Sequence, residues 1–475
     1  MGESIVFSLN FNLSLDNVRK EFGGSIMNEG MNILLIVSDT FRRDHLGCYG
    51  NREIKTPRLD WLASRSIVFN RCYTCSFPTV PCRADLFTGR WTFTYHGWQP
   101  LPREEKVLAQ ILSENGYTTM GVADTPFLVK DGFHYDRGFK DFIWVRGQGP
   151  ERQDINYERR YECDYCAPST MITAAEWLQR HYKERFFLYV DTWDPHEPWD
   201  PPVWFVEYYD PDYDGRIVGP CYWLYKERGL SDEDLRVAHN CYCGEITMVD
   251  KWIGYLLDQL DALNLMEKTI IVFTTDHGFY FGEHGQFGKA MLTPWPLKPG
   301  QTGEVHRSPL YEEISHIPLF IYIPGYKPKR IDSLVSLPDL MPTLLDLVGV
   351  DIPREVQARS MVPLIEGEGD GRDFTVTSFP LKEPGSITRI VTGAQRKVMQ
   401  YLPITVTSED WALIYSTGDE PAELYHLPSD PNQERNVIED HFDVAADLHR
   451  KLLDFLTKAN TDPRHIKPRR EIRLN

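Results

Sequence analysis

No apolar run in the sequence approaches the roughly 20 residues of a membrane-spanning helix. The opening residues, MGESIVFSLNFNLSLDNVRKEFGG, lack the basic head and long apolar core of a secretory leader. Val6 stands where a myristoylation signal at Gly2 would need Ser or Thr. The expected compartment is therefore the cytoplasm, with no membrane partner. Positive charge is also in deficit: 51 basic residues face 69 acidic ones, for a net charge of -18. Such a chain repels nucleic-acid backbone, so nucleic acid is not an expected partner. An anionic substrate would need a local cationic site. Cysteine is sparse, with nine residues at irregular spacing. An odd count without a leader reads as free thiols rather than a disulfide framework. Cys163 and Cys166 could join Cys241 and Cys243 around zinc, but the second spacing is wrong for a ribbon and no matching His pair follows. Buried or surface thiols are expected instead. Internal repeats and low-complexity tracts are absent.

The 475 residues suffice for one large catalytic domain with a small companion, and 42% hydrophobic content is that of a globular protein. Asn32 to Ser38 (NILLIVS) is a largely apolar run, the pattern of a strand buried on both faces of a parallel sheet. Phe186 to Asp191, Thr269 to Asp276 and Pro318 to Ile323 read the same way. Helical spacing marks Lys106 to Asn115, Met171 to Tyr182 and Ile246 to Leu263. Alternating buried strands and helices predict an α/β fold with a mostly parallel central sheet. Beyond about residue 370 the pattern changes. Short strands are expected at Phe374 to Ser378, Thr388 to Thr392, Lys397 to Tyr401 and Leu413 to Tyr415, then an amphipathic helix over Val444 to Lys458. This predicts a small α+β subdomain with an antiparallel sheet. Phe142 to Tyr225, rich in Tyr, Trp, Asp and Pro, reads mostly as loops over a site.

Asp39, Asp191 and Asp276 stand at the carboxyl ends of three predicted strands, the edge where open α/β sheets bind ligands. His196 follows shortly after Asp191. Asp276-His277-Gly278 places a carboxylate and an imidazole side by side, able to grip a divalent cation. Asp39 and Asp276 aimed at one edge would be costly without a neutralising cation.

From Thr79 the sequence reads TVPCRADLFTGR, which resembles the C-x-P-S-R…T-G-R signature of the sulfatases in the alkaline phosphatase superfamily. Pro81, Arg83, Thr88, Gly89 and Arg90 fall in register, Thr79 takes the nucleophile's place and Cys82 that of the Ser. NILLIVSDTFRRDHLGCYGN resembles the first metal segment, PHEPW the P-H-x-P segment and TIIVFTTDHGFYFGEHG the second metal segment; Gly288-Lys289 resembles the lysine site. LPDLMPTLLDLVGV and ELYHLPSDPNQERN resemble late family segments, so the likeness spans nearly the whole chain. It implies an alkaline-phosphatase-like sandwich, divided as an extension at 1–30, a catalytic domain at 31–370 and a C-terminal subdomain at 371–475.

Three departures matter. Thr79 is neither Cys nor Ser and cannot be oxidised to the aldehyde of a formylglycine. Thr40 follows Asp39 where sulfatases usually carry a second Asp. Asp124 and Thr125 replace a sulfate-gripping Lys. The expectation is a metal-dependent hydrolase closest to the phosphonate monoester hydrolases and phosphodiesterases, acting on a small anionic ester. Asp39, Thr40, Thr79, Asp276 and His277 are the expected ligands of one divalent ion. Mn²⁺ or Zn²⁺ is favoured over Ca²⁺ or Mg²⁺ because the donors mix carboxylate with imidazole. Thr79 would attack directly. Arg83, one turn on, would fix Thr79 or a substrate oxygen, Lys289 would neutralise developing charge and His196 would protonate the leaving oxygen. Asp124 and Thr125 would contact substrate. His96 and His284 read as structural or as supports behind the site, and His316 as a core or surface histidine. The sequence leaves the oligomeric state open; the resemblance allows a homo-oligomer, since family members often associate. Two alternatives stay open: a true sulfuric ester hydrolase, and a non-catalytic member that binds an anion or a partner.

Overall fold

The computed structural model describes residues 30–125, 128, 133–145, 161–298, 300–382, 384–385, 387–389, 395–417 and 420–472. The expected extension, except its last residue, and residues 146–160 of the aromatic stretch lie outside the described residues. Eight strands form the central sheet. They are β1 (Asn32–Ser38), β2 (Ile67–Tyr73), β3 (Thr118–Ala123), β4 (Asp141–Trp144), β5 (Phe186–Thr192), β6 (Thr269–Thr274), β7 (His316–Tyr322) and β8 (Lys329–Ser336). Their order is β8-β2-β7-β6-β1-β5-β3-β4. The pairs of β1 with β5 and β6, of β3 with β4 and β5, and of β2 with β8 are parallel. Strand β7 runs antiparallel to both β2 and β6, although its apolar run looks like those of its parallel neighbours. An apolar run reports burial on both faces, and β7 is covered on both whatever its direction.

Helix α1 (Thr79–Thr88) and α2 (Cys166–His181) pack around the sheet with α3 (Asp232–Ala262), which is longer than its apolar periodicity suggested. The signal for its start is a capping box: Ser231 accepts from Asp234 N while Asp234 returns to Ser231 N. One core layer gathers Leu35, Val37, Val272 and Leu319 with α1. The other gathers Leu34, Ile36, Ile271 and Phe273 with α2 and α3. Alternate residues of each strand thus feed opposite layers, as the two-residue strand period requires.

A second sheet is antiparallel, made of β9 (Phe374–Ser378), β10 (Ile404–Ser408), β11 (Trp411–Tyr415) and β12 (Glu423–His426), with α4 (Phe442–Lys458) packed on it. A third sheet joins Leu292–Thr293 and Thr302–Val305 to Ile387–Arg389 and Gln395–Val398. The expected strand at Thr388 to Thr392 is described only to Arg389. No described helix is long and apolar enough to cross a membrane. Ile36 is fully buried at the centre of the large sheet. Ile36→Ala is expected to cost about 2–5 kcal/mol, read as a lower urea midpoint at unchanged slope.

Candidate active site

The sheet order places β6, β1 and β5 side by side, so Asp276, Asp39 and Asp191 meet at one edge. All three carboxylates are fully buried. Arg83, on the first turn of α1 past Thr79, enters among them. Its Nη1 lies 3.0 Å from Asp39 Oδ2 and also contacts Asp276 Oδ2, while Nη2 and Nε donate to Asp191 at 2.8 and 3.1 Å. Asp191 accepts further from Thr125 Oγ1 at 2.8 Å and from Tyr189 Oη.

Thr40 takes a left-handed conformation at φ 62°, a costly choice for a β-branched residue. Its amide donates to Asp276 Oδ1 at 2.9 Å, and its carbonyl accepts from Tyr242 Oη on α3 at 2.7 Å. Those contacts hold the turn that presents Asp39. Thr40 Oγ1 donates to Asp39 Oδ1 at 2.6 Å and accepts from Lys289 Nζ at 3.1 Å. Gly278 follows His277 where a Cβ would lie 1.9 Å from Glu313 O, so only glycine lets the chain pass. Gly288 precedes Lys289 at φ +150°, with Tyr222 Cα 2.9 Å from where a Cβ would stand.

His277 Nδ1 lies 3.0 Å from Gly278 O, which leaves Nε2 facing Thr79 Oγ1 at 3.5 Å. Burial pushes His277 down to about 3 against the pull of Asp276, so the ring is neutral and Nε2 carries a lone pair. Burial and the Asp276 charge push Asp39 well above the usual carboxylate range. Burial opposes ionisation of Asp276 too, but the Arg83 guanidinium holds it well below that range. Donor atoms of Asp39, Asp276 and His277 all lie within 4.8 Å of one another. Asp39 Oδ2 is buried and receives no hydrogen bond. Two carboxylates, one neutral imidazole and the adjoining Thr79 hydroxyl therefore fit a divalent cation.

Other expected residues fall differently. Arg83 was expected to fix Thr79 or a substrate oxygen, but its guanidinium is spent on the three carboxylates. Asp124 and Thr125 were expected to contact substrate. Asp124 instead accepts from the Trp193 amide and from the Thr170 and Thr192 hydroxyls at 2.9 and 3.0 Å, and Thr125 braces Asp191. Both thus shape the loop from β5 to His196. Cys82 lies behind the site with Sγ 3.6 Å from Asp276 O, and burial with the Asp276 charge pushes its thiol well up. A thiol kept protonated is a poor nucleophile. His316 bridges Glu312 and Asn70 O at 2.7 and 2.8 Å, and His284 stacks on Tyr311. A cavity of about 970 Å³ lined by Arg42, Arg71, Glu312 and Glu434 excludes Asp39, Thr79 and Asp276, so donor chemistry rather than volume locates the site.

Glu197 escaped the sequence reading, although it sits inside PHEPW beside His196. Its side chain is half-buried, takes a hydrogen bond from Tyr222 Oη, and places Oε2 3.2 Å from His196 Nδ1 and 4.0 Å from Lys289 Nζ. Burial raises its carboxyl, with Lys289 and Tyr222 opposing. His196 Nδ1 also lies 2.7 Å from Glu197 O, and burial and Lys289 push its ring well below the ordinary histidine value.

The family model described as Sulfatase matches residues 31–350, and that described as N-sulphoglucosamine sulphohydrolase, C-terminal, matches residues 300–458. An arylsulfatase of Clostridium perfringens (strain 13 / Type A) is 27% identical over 494 aligned residues, covering 90% of this chain and 93% of its own. Mouse iduronate 2-sulfatase is 25% identical, with 88% and 92% covered. Among solved structures, the phosphonate monoester hydrolase of Agrobacterium radiobacter superposes with a TM-score of 0.70 at 20% identity, covering 90% of this chain and 96% of its own. A chain solved in complex with its substrate D-glucosamine-2-N,6-O-disulfate gives a TM-score of 0.70 at 20% identity, over 93% and 99%. The fold is thus shared with both.

Removing the guanidinium would leave three buried carboxylates uncompensated. Arg83→Met is expected to lower the stability of the metal-free protein by about 3–5 kcal/mol, measured by urea unfolding.

Proposed function

We propose that this chain, which belongs to the sulfatase family, hydrolyses a small anionic phosphoryl ester, a phosphonate monoester or a phosphodiester, with Thr79 as nucleophile. The observation that carries this reading is Thr79 Oγ1 at the start of α1, 3.5 Å from His277 Nε2 and next to the Asp39–Asp276 pair. A threonine there cannot become the aldehyde that a formylglycine sulfatase uses. Likeness to a phosphonate monoester hydrolase supports a phosphoryl substrate. The curated relatives' names favour sulfuric ester hydrolysis as the second reading.

Asp39, Asp276 and His277, with Thr79 and Thr40 alongside, would hold the divalent cation, Mn²⁺ or Zn²⁺ by their mixed donors. When bound, the cation supplies Lewis acidity that lowers the pKa of the Thr79 hydroxyl and offsets substrate charge. Thr79 Oγ releases its proton to solvent and attacks phosphorus. A Thr79 Oγ–P bond forms as the bond to the leaving oxygen breaks. The Lys289 ammonium stabilises that oxygen and gives it a proton.

The expected role of His196 as the leaving-group acid changes. A ring held neutral, with Nδ1 on Glu197, offers a lone pair at Nε2 and enters as a base. It takes a proton from the water that adds to phosphorus as the Thr79 ester breaks. The Glu197 carboxylate orients the ring and stabilises its charged form, the logic of a carboxylate–histidine pair. Glu197 Oε2 lies between His196 Nδ1 and Lys289 Nζ, so the proton has a route back to Lys289.

The decisive comparison is turnover of p-nitrophenyl phenylphosphonate, bis-p-nitrophenyl phosphate and p-nitrophenyl sulfate by metal-loaded enzyme. The phosphoryl esters should be hydrolysed faster, and chelator should abolish turnover. A strong preference for the sulfate would establish the second reading instead. Thr79→Ala should lose on the order of 10³–10⁶-fold in kcat, while Thr79→Ser keeps measurable activity. His196→Ala should accumulate a phosphorylated enzyme, seen as an intact-mass increase on Thr79, because it removes the base of the second step. Absence of that adduct alongside slow first-step release would return His196 to the acid role.

A further inference from the structure

A second group of metal-type donors meets where the turn after β1 crosses α3. His45 ends the short helical turn Arg43–His45, and His239 and Cys243 lie four residues apart on one face of α3. His45 and Cys243 are buried and His239 is half-buried. His45 Nε2 lies 2.9 Å from His239 Nε2, and Cys243 Sγ lies 3.7 and 3.8 Å from the two ring nitrogens of His239. On tetrahedral zinc, with bonds of about 2.0–2.1 Å to nitrogen and 2.3 Å to sulfur, two nitrogens stand about 3.3 Å apart and nitrogen and sulfur about 3.6 Å. The observed spacings need only small side-chain rotations to meet that geometry.

The surroundings set the tautomer. His45 Nδ1 lies 2.9 Å from Asp44 Oδ1, and Asp44 is paired with Arg42 at 2.7 Å, so the carboxylate accepts and Nδ1 carries the proton. His45 Nε2 then points a lone pair at His239. A carboxylate behind the outer nitrogen is the arrangement that orients metal-binding histidines. A positive centre must sit between two Nε2 atoms so close, either a proton or a metal ion. The thiol supplies a third, soft donor that a bridging proton would not use.

We propose that His45, His239 and Cys243 bind a zinc-class cation, at a site separate from the Asp39–Asp276–His277 cluster. The sulfur donor selects a borderline-soft ion, whereas the oxygen-rich cluster also accepts a harder one. Binding is ligand exchange without redox: Cys243 releases its proton to solvent, and one sulfur and two nitrogen bonds replace bonds to water. A water fills the fourth position. The site clips the β1 turn to α3. Tyr242, between the two α3 ligands, already donates to Thr40 O and accepts from the Arg42 amide at 2.9 Å, so the clip grips the segment that presents Asp39.

The test uses full-length protein, purified reduced, stripped of metal and titrated with zinc or cobalt(II) alone. Zinc content by mass spectrometry should fall by one equivalent per chain in Cys243→Ser and in His239→Ala, each checked for native circular dichroism. Cobalt should give a near-ultraviolet thiolate charge-transfer band in the natural chain and in Asp276→Asn, and no band in Cys243→Ser. Zinc content unchanged in the folded variants would overturn the site. So would absence of the band from both the natural chain and Asp276→Asn, a readout independent of whether the α3 variants fold.

Discussion

The Arg83 guanidinium is the charge on which the catalytic edge of the sheet depends. Three parallel neighbours, β6, β1 and β5, each bring a buried aspartate to that edge. Carboxylates crowded out of water repel strongly, because little solvent screens them. Arg83 contacts all three, bidentate toward Asp191 and bridging Asp39 and Asp276. The uneven outcome follows from its geometry. Asp276 has Arg83 and the backbone amides of Thr40 and His277 to stabilise its charge. Asp39 faces the Asp276 charge, and its Oδ2 touches Arg83 Nη1 without receiving a hydrogen bond. That remaining deficit is what a divalent cation would fill, so one arginine both stabilises the edge and leaves it short of positive charge.

Around this edge, outer residues act through others. Asp124 ties down the amide of Trp193, which leads into His196, and Tyr222 aims Glu197. Tyr242 holds the strained Thr40 turn from α3. Precise placement of reacting groups depends on such supports, since side chains at the site are locked by their own partners. A turn this strained, bracketed by a tyrosine hydroxyl and the proposed metal clip, puts α3 in control of where Asp39 points.

Much of this was legible in the residues. Runs such as NILLIVS and TIIVFT are apolar on both faces and could only be interior strands, and DHG after the second placed two metal-type donors together. Strands β2, β3, β4 and β8 of the central sheet were not recognised. In β8, Lys329, Arg330 and Asp332 expose polar side chains at an edge of the sheet and dilute the apolar signal. The direction of β7 was equally hidden, because an apolar run records burial but not polarity of the chain. Arg83 falls in register with the site segment, yet its partners come from three strands whose ends spread from Asp39 to Asp276 along the chain.

The chain alone determined which reactive residue types stand where: Thr79 in a helix-opening segment, aspartates at strand ends, and a histidine beside one of them. It also determined the α/β class, since strand and helix periods are local properties of the backbone. Only the tertiary structure decided what each charge faces. It turned Arg83 inward, gave Asp124 to the Trp193 amide, set Glu197 between His196 and Lys289, and brought Cys243 to His45 rather than to the other cysteines. The physical reason is that burial and Coulomb interaction depend on distance in space, and no spacing along the chain encodes a contact made across a sheet.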